Sequence, residues 1–220
     1  MTGERQEVED EVNKLSLEFR ERMTGFVTLD DPVDYETGFR QGRKADTRCD
    51  VSLTIRIPDM DEFVQDPKAR ADAEGYVDCP KLGGQLSVEK GHFNLLVDVI
   101  PSYQKFKDLR YRLLVRDPNG NHLTFSGVKF VDDNGIIYMW RDTTKLFTKI
   151  FWGDVAEGDE DKAKLAAVGL LRLKSLELVK TLASVRCRPT GLGSWIRGNW
   201  LYFTVFAKRL RQVYGLTSTR

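Results

Sequence analysis

Residues 136–153, IIYMWRDTTKLFTKIFWG, set an arginine, an aspartate and two threonines between aromatic and aliphatic flanks. Two readings of Arg141, Asp142, Thr143 and Thr144 are open. If Trp140 and Leu146 lie on consecutive strands, residues 141–145 form the bend between them. Asp and Thr suit such a bend, because their side chains bond nearby backbone amides. If the segment is one strand, Trp140, Asp142, Thr144 and Leu146 share a face. A closed sheet would then turn Asp142 and Thr144 inward. A buried carboxylate needs a partner, either an arginine such as Arg110 or Arg112 or a polar group of a ligand. On that second reading Trp140, Asp142 and Thr144 are ligand-binding candidates. Tyr111, Phe125 and His92, on neighbouring strand segments, join them.

Other chemistry is sparse. There are two histidines, His92 and His122, so metal or triad chemistry would have to use one of them or carboxylates alone. An enzyme reading would pair Asp142 with a histidine. The nearest approach to a dinucleotide fingerprint is GLGSWIRG, whose third glycine comes too late and which no clear strand precedes. It reads as a helix break with Ser194 as N-cap. The P-loop, H-E-x-x-H and G-x-S-x-G patterns are absent. Cys49, Cys79 and Cys187 are odd in number and lack C-x-x-C spacing, so no metal, no cofactor and no catalytic residue is expected.

The elements that would position these residues follow from periodicity. Val8, Val12, Leu15, Phe19 and Met23 recur at helical spacing, predicting a helix over 5–24. A connector with a helical turn around 35–41 follows. CDVSLTIRI alternates, with Cys49, Val51, Leu53, Ile55 and Ile57 on one face. PDMDEFVQDP reads as a short helix bounded by prolines. GGQLSVEKGHFNLLVD is two strand pieces about a turn or bulge at Lys90–Gly91. DLRYRLLVRD puts Leu109, Tyr111, Leu113 and Val115 inward, and PNGN turns the chain into HLTFSGVKFV. Strands at 136–140 and 146–152 come next, and KLAAVGLLRLKS is the last. Short strands spaced by turns predict a mainly β fold with terminal helices, an antiparallel meander closing into a lipocalin-like barrel. A β-sandwich is the alternative. The organisation is an N-terminal helix and connector (1–47), a barrel-like core (48–175) and basic C-terminal helices packing on it (176–220).

The net charge of +1 conceals a polarity. Residues 172–220 carry ten Lys/Arg against one acid, Glu177, while the preceding residues carry 24 basic and 32 acidic groups. The basic tail fits either an anionic partner or the acidic body of the chain itself. Its last helix sets Ile196, Trp200, Phe203, Phe206, Leu210 and Val213 on one side. Trp195, Trp200, Phe203, Lys208 and Arg211 are therefore membrane- or partner-contact candidates, although packing on the sheet is the commoner fate of such a face. No apolar run reaches the roughly 20 residues of a spanning helix. The charged N-terminus does not read as a signal peptide. A reduced cytoplasmic setting, at most peripheral to a membrane, is expected. Nucleic acid is not an expected partner, since no binding motif accompanies the basic residues.

Several segments in order, FRERMTGFV, DVSLTIRIPDMDEFVQDPKARADAEGYVDCPKLGGQLSVEKGHFNLLVD, LRYRLLVRDPNGNHLTFSGVKFV, MWRDTTKLFTKIFWG and FAKRLRQVYG, resemble a domain of bacterial cholesterol-oxidase-like proteins of the glucose–methanol–choline oxidoreductase group. The flavin domain of those proteins has no counterpart here. The resemblance implies an accessory domain beside enzymes of steroid-like or other lipophilic substrates, and it brings no catalytic residue. The expectation is non-catalytic binding of a lipophilic small molecule or lipid surface, with a separate oxidoreductase as a possible partner. An enzyme acting on a steroid-like or lipid substrate and a protein-docking module are the alternatives.

Overall fold

The computed structural model describes residues 14–100, 103–131, 145–173 and 184–213, and at 96–100, 103–107, 131, 203 and 205–213 the backbone alone. In chain order the elements are β1 (Ser16–Leu29), α1 (Tyr35–Lys44), β2 (Arg48–Ile57), α2 (Met60–Gln65), β3 (Arg70–Cys79), β4 (Gly84–Ile100), β5 (Tyr103–Arg116), β6 (His122–Val131), β7 (Lys145–Trp152), β8 (Leu165–Arg172), β9 (Arg186–Arg188) and α3 (Leu192–Val213).

Strands β1 to β8 form an antiparallel meander in which each strand pairs with the next, and β1 pairs with both β2 and β8. The sheet is thus a closed eight-stranded barrel, which removes the edges a sandwich would leave. The ninth strand, β9, lies against the start of β1. Alternation fills the interior: Cys49, Val51, Leu53, Ile55 and Ile57 of β2 are all buried, and so are Leu109, Tyr111, Leu113 and Val115 of β5. The β5–β6 hairpin is built on Asp117, whose Oδ1 accepts from the amides of Asn119 and Asn121 at 2.9 and 2.7 Å, with Gly120 at φ 90°. Lys90–Gly91 does not break β4. The strand runs on, with a register shift between Val88 and Lys90 that marks a bulge.

The helix expected over 5–24 is corrected by β1. From residue 16 onward the chain is a strand with Leu17, Phe19, Glu21, Met23 and Val27 buried and facing inward. Met23 and Phe19 fit both periods, and Glu21 at an inward position masks the alternation. The first residues of the expected helix lie outside the described set. β1 therefore belongs to the same barrel as the strands of 48–175. The β8 segment is also not the last strand, because the three-residue β9 follows.

α1 lies on the outside of β1 and β8, N-capped by Asp34, which accepts from the Thr37 amide at 3.0 Å. Its contact is close because it is made through glycine: a Cβ added at Gly42 would sit 2.2 Å from the Val27 carbonyl oxygen. Gly42→Ala is expected to lower stability by about 1–2 kcal/mol in urea unfolding, since overpacking against backbone outweighs the gain in helix propensity. An unchanged or raised midpoint would show that α1 can shift away.

α2 is capped by Asp59, which accepts from the amides of Asp61 and Glu62 at 2.9 and 3.0 Å. It meets α3 at the barrel end where β1 begins. There Tyr202 of α3 stacks on Phe63 of α2 (6.4 Å) and meets the inward-facing Phe19 edge-on (5.8 Å).

Candidate functional site

Three groupings of polar or exposed side chains stand out. The first lies inside the barrel. Lys129 of β6 and Glu21 of β1 are 3% and 6% exposed, and Nζ donates to Glu21 Oε1 at 2.6 Å. Tyr111 of β5 donates its hydroxyl to Glu21 Oε2 at 2.7 Å and accepts from Lys129 at 3.0 Å. The strand register brings them together: Tyr111 is opposite Gly127 and Leu109 opposite Lys129, all inward. Glu21 takes two charge-assisted or phenolic bonds, so the cluster is internally satisfied. Chemically it is a closed ionic lock across the barrel.

Burial pushes the Tyr111 phenol well above its ordinary value, and the Glu21 carboxylate adds to that. Burial, again with Glu21, also raises Tyr202 above it. Both hold their protons in the folded chain, whereas an unfolded chain loses them near pH ~10. Their contribution is therefore complete below that pH and declines as pH rises toward the folded values, by up to about 1.4 kcal/mol per pH unit for each. Ultraviolet titration should leave both phenols un-ionised at pH 11 in the folded protein, and stability should fall above pH 10. Normal ionisation of every tyrosine without unfolding would contradict the burial.

The second grouping lies on the outer face of β4–β6, under the loop after β7. It is a groove of about 400 Å³ whose lining includes His92, Asn94, Arg110, Arg112, Glu157 and Glu160. Its charges are mutually engaged. Arg112 binds Glu160 and the Val155 carbonyl, and Arg110 binds Asp108 at 3.2 Å and Glu157 at 3.7 Å. Burial, with Arg70 nearby, holds the His92 imidazole below its ordinary value. The groove is a clasp for the loop.

The third grouping is on α3. Gly198, Leu201 and Tyr202 turn toward the barrel; a Cβ at Gly198 would lie 2.7 Å from Cys187 Sγ, and Leu201 and Tyr202 pack on the core. The other side carries Leu192, Trp195, Ile196 and Trp200, exposed by 76%, 46%, 53% and 65%. Spacing of three and four residues puts them along one stripe. Arg197 reaches Asp61 at 3.7 Å. Ile196 and Trp200, expected to share one face, do share it, and that face is turned to solvent.

Among the ligand candidates, Phe125 is fully buried between Leu113 and Ile150, and Tyr111 belongs to the ionic lock. The His92 side chain faces outward into the groove, whose lining Tyr111 also joins, and not into the interior that Phe125 and the Tyr111 hydroxyl occupy. Trp140, Asp142 and Thr144 lie outside the described residues. Arg110 and Arg112 also face outward because β5 alternates, which removes them as partners for an inward carboxylate. His92 and His122 do not meet, since they sit opposite Arg112 and Arg116, four residues apart along β5. Trp195 and Trp200 are on the exposed stripe. Phe203, Lys208 and Arg211 lie on α3 where only backbone is described. Among the described residues no His, Cys, Asp or Glu group could hold a metal ion, and the three cysteines are free and buried.

Sequence reasoning missed Glu21 and Lys129. The signal was there: each is a single charge at an inward position of an otherwise apolar alternation. Comparisons with family models, with curated proteins and with solved structures return no match.

Proposed function

We propose that the protein is a non-catalytic domain that docks onto an anionic lipid surface through the exposed stripe of α3. There it would bind or present a lipophilic, steroid- or lipid-like molecule to a separate oxidoreductase. The carrying observation is the stripe itself, two tryptophans with a leucine and an isoleucine exposed on one helix face. Exposed apolar surface of this kind marks an interaction site, and tryptophan favours the membrane interface.

Charge favours lipid over an apolar protein patch. Residues 178–220 contain no Asp or Glu and six Arg plus two Lys, which suits an anionic headgroup layer. No helix among the described residues is long and apolar enough to cross a membrane, so the reading is a helix lying on the surface, on a cytoplasmic face. The oxidoreductase partner rests on the sequence resemblance alone.

Co-sedimentation with phosphatidylglycerol vesicles tests this reading. Binding is expected at low salt, weakening as salt screens the headgroups, and little binding to phosphatidylcholine. No binding to either vesicle would overturn it and favour a protein-docking module.

A further inference from the structure

On the outer wall at the α3 end of the barrel, cross-strand register lines up charged side chains. Arg186 of β9 is opposite Glu18 of β1, Arg188 is opposite Ser16, and on the other flank of β1 Arg56 of β2 is opposite Glu18. All five side chains share the outward face, and they line a groove of about 410 Å³ with Leu17. Arg56 is partly engaged, with Glu18 at 3.4 Å and Glu74 at 3.0 Å. Arg186 and Arg188 have no carboxylate partner among the described residues, and both are exposed. Three guanidiniums therefore face one lining carboxylate, leaving the groove with a net positive charge.

We infer that this groove is a binding site for a phosphate group, taken from a phosphomonoester or phosphodiester. Guanidinium is planar, permanently charged and carries a fork of N–H donors that matches phosphate oxygens two at a time. Among the described residues no carboxylate occupies the donors of Arg186 and Arg188, and the Ser16 hydroxyl adds one more donor. The backbone of β1 and β9 is paired, so the three arginines project from a fixed platform. Arg188 stands four residues before Leu192, the start of the exposed stripe. A lipid headgroup bound here would thus sit beside the helix proposed to meet the acyl region. That source of phosphate rests on the docking reading; the site itself does not.

The test uses the full chain and two probes, glycerol 3-phosphate in solution and phosphatidic acid vesicles. The variants are R186Q/R188Q and a charge-matched control at the far end of α1, R43Q/K44Q. Both pairs are exposed, so folding should be unaffected; far-ultraviolet circular dichroism and melting check this. R186Q/R188Q is expected to weaken binding of at least one probe about tenfold or more, as loss of charge-assisted hydrogen bonds does, with the control near wild type. Loss on vesicles identifies a headgroup site. Loss for glycerol phosphate in a protein that ignores vesicles keeps the phosphate site and removes the lipid reading. Unchanged binding in R186Q/R188Q, or an equal loss in the control, overturns the inference.

Discussion

Lys129→Met is expected to destabilise the fold by about 3–5 kcal/mol, because it leaves the Glu21 carboxylate buried without its counter-ion. The geometry leaves little escape. Glu21 is 6% exposed and its Oε1 bond to Lys129 is 2.6 Å. Tyr111 would remain as a donor to the other oxygen, but a phenol does not neutralise a carboxylate. The double variant Glu21→Leu with Lys129→Met should recover much of that loss, since an apolar pair of similar volume suits a barrel interior. Urea unfolding of the wild type, both single variants and the double variant gives the coupling directly. A loss under 1 kcal/mol for Lys129→Met would mean that water reaches Glu21 and that the pair is not locked.

The same pair explains which parts of the fold the sequence could reveal. β2 is apolar at every inward position and β5 carries Leu109, Tyr111, Leu113 and Val115 inward with no charge among them, so their alternation is plain. β1 carries Glu21 where an apolar residue is expected, and its partner, Lys129, is 108 residues away in the chain. Local periodicity cannot register a compensation made across the barrel. The helical spacing of Leu15, Phe19 and Met23 then dominates the local pattern, although the chain there is a strand. β9 has three residues, too short for any period, and it exists only because the start of β1 offers an edge. On α3 the apolar stripe was legible, but its direction was not. The side that packs is Gly198, Leu201 and Tyr202, which carries less hydrophobic signal than the side left in solvent. Glycine wins that contact by letting the helix approach Cys187 closely.

Trp195→Ala with Trp200→Ala should cost the protein its vesicle binding while leaving its melting temperature within a degree or two. Both rings are largely outside the core, so folding loses little by their removal. Binding loses more. A tryptophan can bury roughly 200 Å²; with about half of that open here, ~25 cal/mol/Å² gives a ceiling of about 2.5 kcal/mol per ring. Half of the combined ceiling lowers the partition coefficient roughly seventyfold. A variant that binds phosphatidylglycerol vesicles as wild type does would leave only the basic charges as the anchor, and a variant that melts far lower would show the rings to be structural.

These effects depend on one arrangement, a barrel whose mouth is covered by a helix showing its apolar stripe outward. The most direct measurement is tryptophan fluorescence in phosphatidylglycerol vesicles whose acyl chains carry bromine. Insertion of Trp195 and Trp200 predicts a blue-shifted emission quenched by the brominated chains, and the quenching should largely disappear in a Trp195→Phe, Trp200→Phe variant. Emission that neither shifts nor quenches, with both rings still open to aqueous acrylamide at saturating lipid, would contradict docking through α3.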